Sequence, residues 1–170
     1  RQAGATEEAY FDVLRHKTAA LFAACARLGA ISADCAPATV EQAATFGEII
    51  GLCFQIRDDI FDYYDDETIG KPTGNDLMEG KLTLPAIYAL NHTDRTDVQT
   101  WVAHVKDSTA TPEEIKSLVD FTKCSGGIDY AHQRMEELRK EAAQVLNAFP
   151  DEAVRRSLAA YLDYTIDRKL

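Results

Sequence analysis

No run of apolar residues in this sequence approaches the roughly 20 that a bilayer-spanning helix needs, so no transmembrane segment is expected. The first residues, Arg1-Gln2-Ala3-Gly4, do not form a basic stretch followed by an apolar one, so neither is secretion; the expected compartment is the cytoplasm. An initiator Met is also lacking, which raises the expectation of a processed or truncated piece. The net charge is −10, from 18 basic and 28 acidic residues, and no basic stripe interrupts it. Nucleic-acid binding is therefore not expected. The four cysteines, Cys25, Cys35, Cys53 and Cys124, show no CxxC spacing and no nearby His in a zinc pattern. They read as buried, reduced thiols of a cytosolic protein. No internal repeat, low-complexity tract or linker divides the chain.

What is present is a chain of 170 residues, 46% hydrophobic and 27% charged, enough for one compact domain with a real core. Its periodicity is helical nearly throughout, which predicts an all-α protein. From about Glu7 to Leu28 an apolar stripe runs through Tyr10, Val13, Leu14, Leu21, Ala24, Cys25 and Leu28, with Gly29 suited to cap it. A long helix is predicted from about Thr39 to Tyr64. Its interior Gly47 and Gly51 each cost about 1 kcal/mol relative to Ala, which suggests a close neighbour at those positions. Asp65 to Lys81, with Gly70, Pro72, Gly74 and Gly80, reads as a loop long enough to suspect function. Helices are then predicted from Leu82 to Leu90 and from Asp97 to Lys106. A capping box opens another at Thr111-Pro112-Glu113-Glu114, ending at Ser125-Gly126-Gly127. Two more follow, one from about Asp129 to Ala148 and one after Pro150.

The run Phe54-Gln55-Ile56-Arg57-Asp58-Asp59-Ile60-Phe61-Asp62-Tyr63 carries the sharpest chemistry. On a helix Asp58 and Asp62 lie one turn apart, with Asp59 beside them, and like charges at that spacing repel. Phe54, Ile56, Ile60 and Phe61 argue that the helix is partly buried, and carboxylates near an apolar wall call for a cation. Magnesium suits the demand, taking one or two carboxylates together with phosphate oxygens and water. A solvated acidic helix face would look similar, and the lysines that follow are what favour the metal. Lys71 and Lys81 sit in the glycine-bearing loop directly after the acidic run, able to close over a diphosphate as point charges. Lys17-Thr18, beside Leu14 and Leu21, is expected to face the core more than solvent, where a structural salt bridge is the competing reading.

Together these segments resemble trans-type polyprenyl diphosphate synthases. Gly51 to Pro85 is similar to that family's second aspartate-rich motif and following loop, and Arg15-His16-Lys17-Thr18-Ala19-Ala20-Leu21-Phe22 to its lysine-bearing helix. The closing Tyr164-Thr165-Ile166-Asp167-Arg168-Lys169 is similar less specifically. The resemblance implies a helical bundle of the isoprenoid synthase type, with residues 1–170 forming the C-terminal portion of a single domain. It implies Mg²⁺ bound by Asp58, Asp59 and Asp62, with Asp58 the principal ligand. Lys17, Lys71 and Lys81 would hold an allylic diphosphate, and Thr18 and Gln55 would line the cavity near the reacting carbons. Asp76 would be structural. The reaction implied joins isopentenyl diphosphate to that allylic diphosphate, and the family is usually homodimeric.

The family uses two DDxxD motifs, and one is present here. Asp65-Asp66 follows too closely on the same segment to be the other. The expectation is a chain holding the allylic-diphosphate half of a site and unable to elongate prenyl chains alone. A class I terpene cyclase is an alternative; its second metal motif mixes Asn, Ser or Thr, and Glu rather than three aspartates. A non-catalytic helical subunit of the same family is another, against which the retained Asp and Lys residues count.

Overall fold

A computed structural model describes residues 6–64 and 73–168, and every regular element among them is helical. In order, the helices are α1 (Glu7–Leu14), a π-helical turn (Arg15–Ala19), α2 (Ala20–Ser32) and α3 (Pro37–Phe61). After these come the short α4 (Asn75–Met78), α5 (Leu84–Asn91), α6 (Thr96–Lys106), α7 (Pro112–Cys124), α8 (Gly127–Leu146) and α9 (Glu152–Asp167). None of the described helices is long and apolar enough to cross a membrane.

Local chemistry explains several of the boundaries. Thr6 accepts a hydrogen bond from the Ala9 amide at the start of α1, where Glu7 and Glu8 favour the positive end of the helix dipole. The predicted capping box forms as read: Thr111 Oγ1 accepts from the Glu114 amide, and the Glu114 carboxylate accepts from the Thr111 amide. Asp151 caps α9 through the Val154 amide at 2.9 Å. Pro85 sits in the first turn of α5, where its missing N–H costs nothing.

The N-terminal region differs from expectation. One straight helix from Glu7 to Leu28 is replaced by two, joined by the π-helical turn at Arg15–Ala19. Gly29 does not end α2, which runs on to Ser32 before Asp34 turns back at φ +52. The predicted stripe is not one buried face: Tyr10 and Leu14 are buried, whereas Val13, Leu21, Ala24, Cys25 and Leu28 are exposed. An extra residue in a helical turn rotates everything after it by about 100°, so a stripe drawn across the turn is out of phase. The thiols also differ, since Cys25 and Cys124 are exposed and Cys35 is half-buried. Cys53 is the buried one, and burial pushes its thiol up to about 12.

The chain divides into two compact units. The first comprises residues 1–10, 58–132 and 170; its buried side chains include Tyr10, Ile60, Tyr63, Leu84, Val98 and Leu118. Its acidic segment sits against Gly74, whose φ of +80 is a left-handed conformation that favours glycine. A Cβ there would also meet Ile115 and Val119 of α7 at 2.9 and 3.0 Å. The second unit comprises residues 11–57 and 133–169, with Phe46, Ile56, Met135 and Leu138 in its core. The close neighbour expected at Gly47 and Gly51 is found there. A Cβ on Gly47 would lie 2.6 Å from the Phe22 carbonyl oxygen, and one on Gly51 would lie 2.6 Å from Ala19 Cα.

Candidate active site

In the first unit, Asp58, Asp59 and Asp62 close α3, and the three carboxylates have different surroundings. The Asp62 amide still bonds to the Asp58 carbonyl at 3.2 Å, so these two remain one helical turn apart. Asp58 is half-buried. Asp59 is 4% exposed, and its Oδ2 accepts a hydrogen bond of 2.6 Å from the phenol of Tyr10. Asp62 works on the following segment: its two carboxylate oxygens accept from the amides of Asn75 and Asp76 at 3.1 and 3.0 Å, and its carbonyl accepts from the Gly74 amide at 2.8 Å. A carboxylate that gathers backbone N–H groups in this way organises the chain around it.

The same arrangement fixes the backbone of Lys81, whose amide donates to the Asp76 carbonyl at 2.8 Å. The Lys81 ammonium is half-exposed, ion-paired with Glu79 and 3.8 Å from Asp76 Oδ1. The Glu79 hydrogen bond is the main reason that its pKa is raised. Lys71 lies outside the described residues. Beneath the acidic segment, the Tyr63 phenol and the Thr83 hydroxyl are 3.3 Å apart and buried. Burial is the main force raising the pKa of Tyr63, and it raises that of Tyr10 as well, reinforced there by Asp59.

In the second unit, Thr18 Oγ1 donates to the side-chain carbonyl of Gln55 at 3.1 Å, so two of the residues singled out in the sequence meet directly. The adjacent rings of Phe22 and Phe54 pack at 5.5 Å. Lys17 occupies the π-helical turn but is exposed, contrary to the core-facing position expected of it. The turn that brings Thr18 onto Gln55 leaves its neighbour on the outer side. Sequence reasoning also missed Arg57, whose guanidinium donates to the Arg168 carbonyl at 3.1 and 2.5 Å. The Arg168 guanidinium lies 4.5 Å from the centre of the Phe54 ring. A backbone carbonyl at a helix C-terminus carries no sequence signal of the partner it will find.

Among the described residues, no group of three or more His, Cys, Asp or Glu side chains could hold a metal unaided. Magnesium does not require one. It takes one or two protein carboxylates and completes its shell with phosphate oxygens and water. Hard carboxylate oxygens at Asp58 and Asp59 suit that role, so the donor set fits a divalent cation shared with a phosphorylated ligand.

An all-α chain whose long helix ends in an aspartate run, tied through a short helix to a lysine, has the architecture of the isoprenoid synthases. Residues 1–122 match the polyprenyl synthetase family model. The chain belongs to the polyprenyl synthetase family. It is 31% identical over 165 residues to a short chain isoprenyl diphosphate synthase of Methanothermobacter thermautotrophicus, covering 96% of this chain and 50% of that protein. It is 32% identical over 164 residues to the octaprenyl diphosphate synthase of Escherichia coli K12, with 96% and 50% covered. The crystal structure of a geranylgeranyl pyrophosphate synthase from Bacteroides thetaiotaomicron superposes with a TM-score of 0.90 and 53% identity, covering 96% of this chain and 54% of that one. A polyprenyl synthase from Caulobacter crescentus, complexed with calcium and isoprenyl diphosphate, gives a TM-score of 0.89 at 29% identity, with 99% and 52% covered. The chain spans about half the length of the relatives it matches.

Proposed function

We propose that this chain carries the allylic-diphosphate half of a Mg²⁺-dependent trans-polyprenyl diphosphate synthase site. The observation that carries the reading is the tie from Asp62 to the Asn75 and Asp76 amides and on to Lys81. It holds an acidic run and a cation in one compact unit. Asp58 is the principal metal ligand and Asp59 stands beside it, while Asp62 serves first to hold the segment that leads to Lys81. When bound, the metal supplies positive charge to the diphosphate leaving group.

The protein's own groups do the rest. Lys81 exchanges Glu79 for a diphosphate oxygen, and Lys71 and Lys17 add charge to the same ligand. As the allylic C–O bond breaks, the electron pair leaves with pyrophosphate, and these cations stabilise the charge that develops. Thr18 fixes the amide of Gln55, which turns a polar group toward the developing allylic cation. Isopentenyl diphosphate then attacks through its double bond, and loss of a proton gives a product five carbons longer. That second substrate and a further aspartate motif belong to the part of the family domain for which this chain has no counterpart, so the isolated chain does not elongate. In the same reading the whole protein is a homodimer, as the family resemblance implies, and it is cytoplasmic, as the sequence leads one to expect.

Calorimetric titration of this chain with farnesyl diphosphate, with and without Mg²⁺, tests the reading. Wild type should bind in the presence of Mg²⁺, and the Asp58→Ala, Asp59→Ala double variant, still helical by circular dichroism, should not. Equal binding by both proteins, or binding indifferent to Mg²⁺, would refute it.

A further inference from the structure

The first turn of α1 delivers two side chains of the first unit to distant partners. Glu7 accepts a 2.5 Å hydrogen bond from the phenol of Tyr130, whose ring stacks on Tyr88 with centroids 4.2 Å apart and planes at 16°. One turn later, Tyr10 donates its phenol proton to Asp59 Oδ2 at 2.6 Å. Both members of that second pair are buried, and they are separated by 49 positions in the chain. A buried carboxylate that accepts a strong hydrogen bond has little freedom to turn, so the donor helps to set the direction in which the carboxylate points.

We propose that Tyr10 is a positioning residue for the aspartate motif. Its hydroxyl fixes the rotamer of Asp59, and with it the direction in which this carboxylate would meet the divalent cation. The inference rests on the function proposed above. Partners that orient a metal-binding carboxylate from behind typically contribute about 10- to 100-fold to metal affinity. Tyr10 acts through Asp59.

Tyr10→Phe removes the hydroxyl and keeps the ring that fills the core. The readout is the Mg²⁺ concentration that half-saturates farnesyl diphosphate binding, measured by calorimetry at matched helicity. It should rise about 10- to 100-fold in Tyr10→Phe. It should stay unchanged in Tyr63→Phe, which loses an equally buried hydroxyl facing Thr83 rather than a carboxylate. In an Asp59→Asn background, Tyr10→Phe should add nothing further, a non-additivity that general loosening of the fold would not produce. If Asp58→Ala abolishes Mg²⁺-dependent binding while Tyr10→Phe leaves the midpoint unmoved, the positioning role alone is overturned. An equal shift in Tyr63→Phe would also overturn it. If wild type takes no ligand with Mg²⁺, the functional reading falls, and this inference falls with it.

Discussion

Two glycine substitutions on neighbouring helices separate packing from propensity. Replacing Gly by Ala inside a helix stabilises by about 1 kcal/mol when the new methyl has room. At Gly29, within α2, nothing lies within 4 Å of the added Cβ, so Gly29→Ala should raise the melting temperature by about 2–4 °C. Gly51→Ala gains the same propensity, but its Cβ would lie 2.6 Å from Ala19 Cα, 3.0 Å from Ala19 Cβ and 3.2 Å from Phe22 Cδ2. Ala19 is 0% exposed, and its backbone cannot yield unless the π-helical turn moves away from α3. Overpacking of this kind costs about 1–3 kcal/mol, so Gly51→Ala should be net destabilised by roughly 1 kcal/mol. Because propensity cancels between the two variants, the difference between them isolates the clash, at about 1–3 kcal/mol. Thermal and urea unfolding followed by circular dichroism would measure it. Equal stabilisation of both variants would mean that the π-helical turn and α3 do not approach as described. The bond from Thr18 to Gln55 would then lose its structural basis.

Thr111→Ala removes the capping box of α7 and should cost about 1 kcal/mol, read as a lower urea midpoint. The Thr111 amide, and then His104, hold the Glu114 carboxyl below its usual value of 4.5. A depressed acid contributes stability that is present above that value and is lost as pH falls through the lower one in the folded state. The advantage of wild type over Glu114→Gln should therefore be full at neutral pH and vanish on strong acidification; persistence in acid would refute the assignment. In thiol titration at pH 8, Cys25 and Cys124 should react rapidly. Cys53, with a pKa near 12 and hence on the order of 10⁻⁴ thiolate, should react only after unfolding. Fast labelling of Cys53 in the native protein would contradict its burial.

Helix type and most boundaries were legible because they rest on short-range chemistry. The capping box at Thr111, Pro85 in a first turn and Pro150 before the last helix each act within four residues. The acidic run was legible as a motif for the same reason, since its spacing and its lysines are local. The π-helical turn was not, because Arg15–Ala19 carries no glycine or proline to mark it. Its signature is a change of phase that emerges only when the faces before and after it are matched to partners. The exposure of Lys17, Leu21 and Leu28 follows from that one missed residue of rotation. Nor could the division of labour among the aspartates be read. Three identical side chains within five positions serve Tyr10, a pair of backbone amides and the proposed metal, and the difference lies in what arrives from 13 to 49 positions away. Tyr10 looked like one more apolar stripe residue because its hydroxyl matters only once Asp59 is opposite it.

The staple at Asp62 has a consequence in the statistics of chain closure. Its carboxylate grips amides 13 and 14 positions further on, so both ends of the intervening stretch are fixed before its length counts. The entropy of closing such a stretch grows only with the logarithm of its length, and a doubling adds about 0.6 kcal/mol. Closure entropy alone therefore leaves folding almost indifferent to how many residues separate Asp62 from Asn75. On the proposed function, any constraint on the spacing between the aspartates and Lys71 comes from the ligand, and it will be visible in affinity rather than in melting.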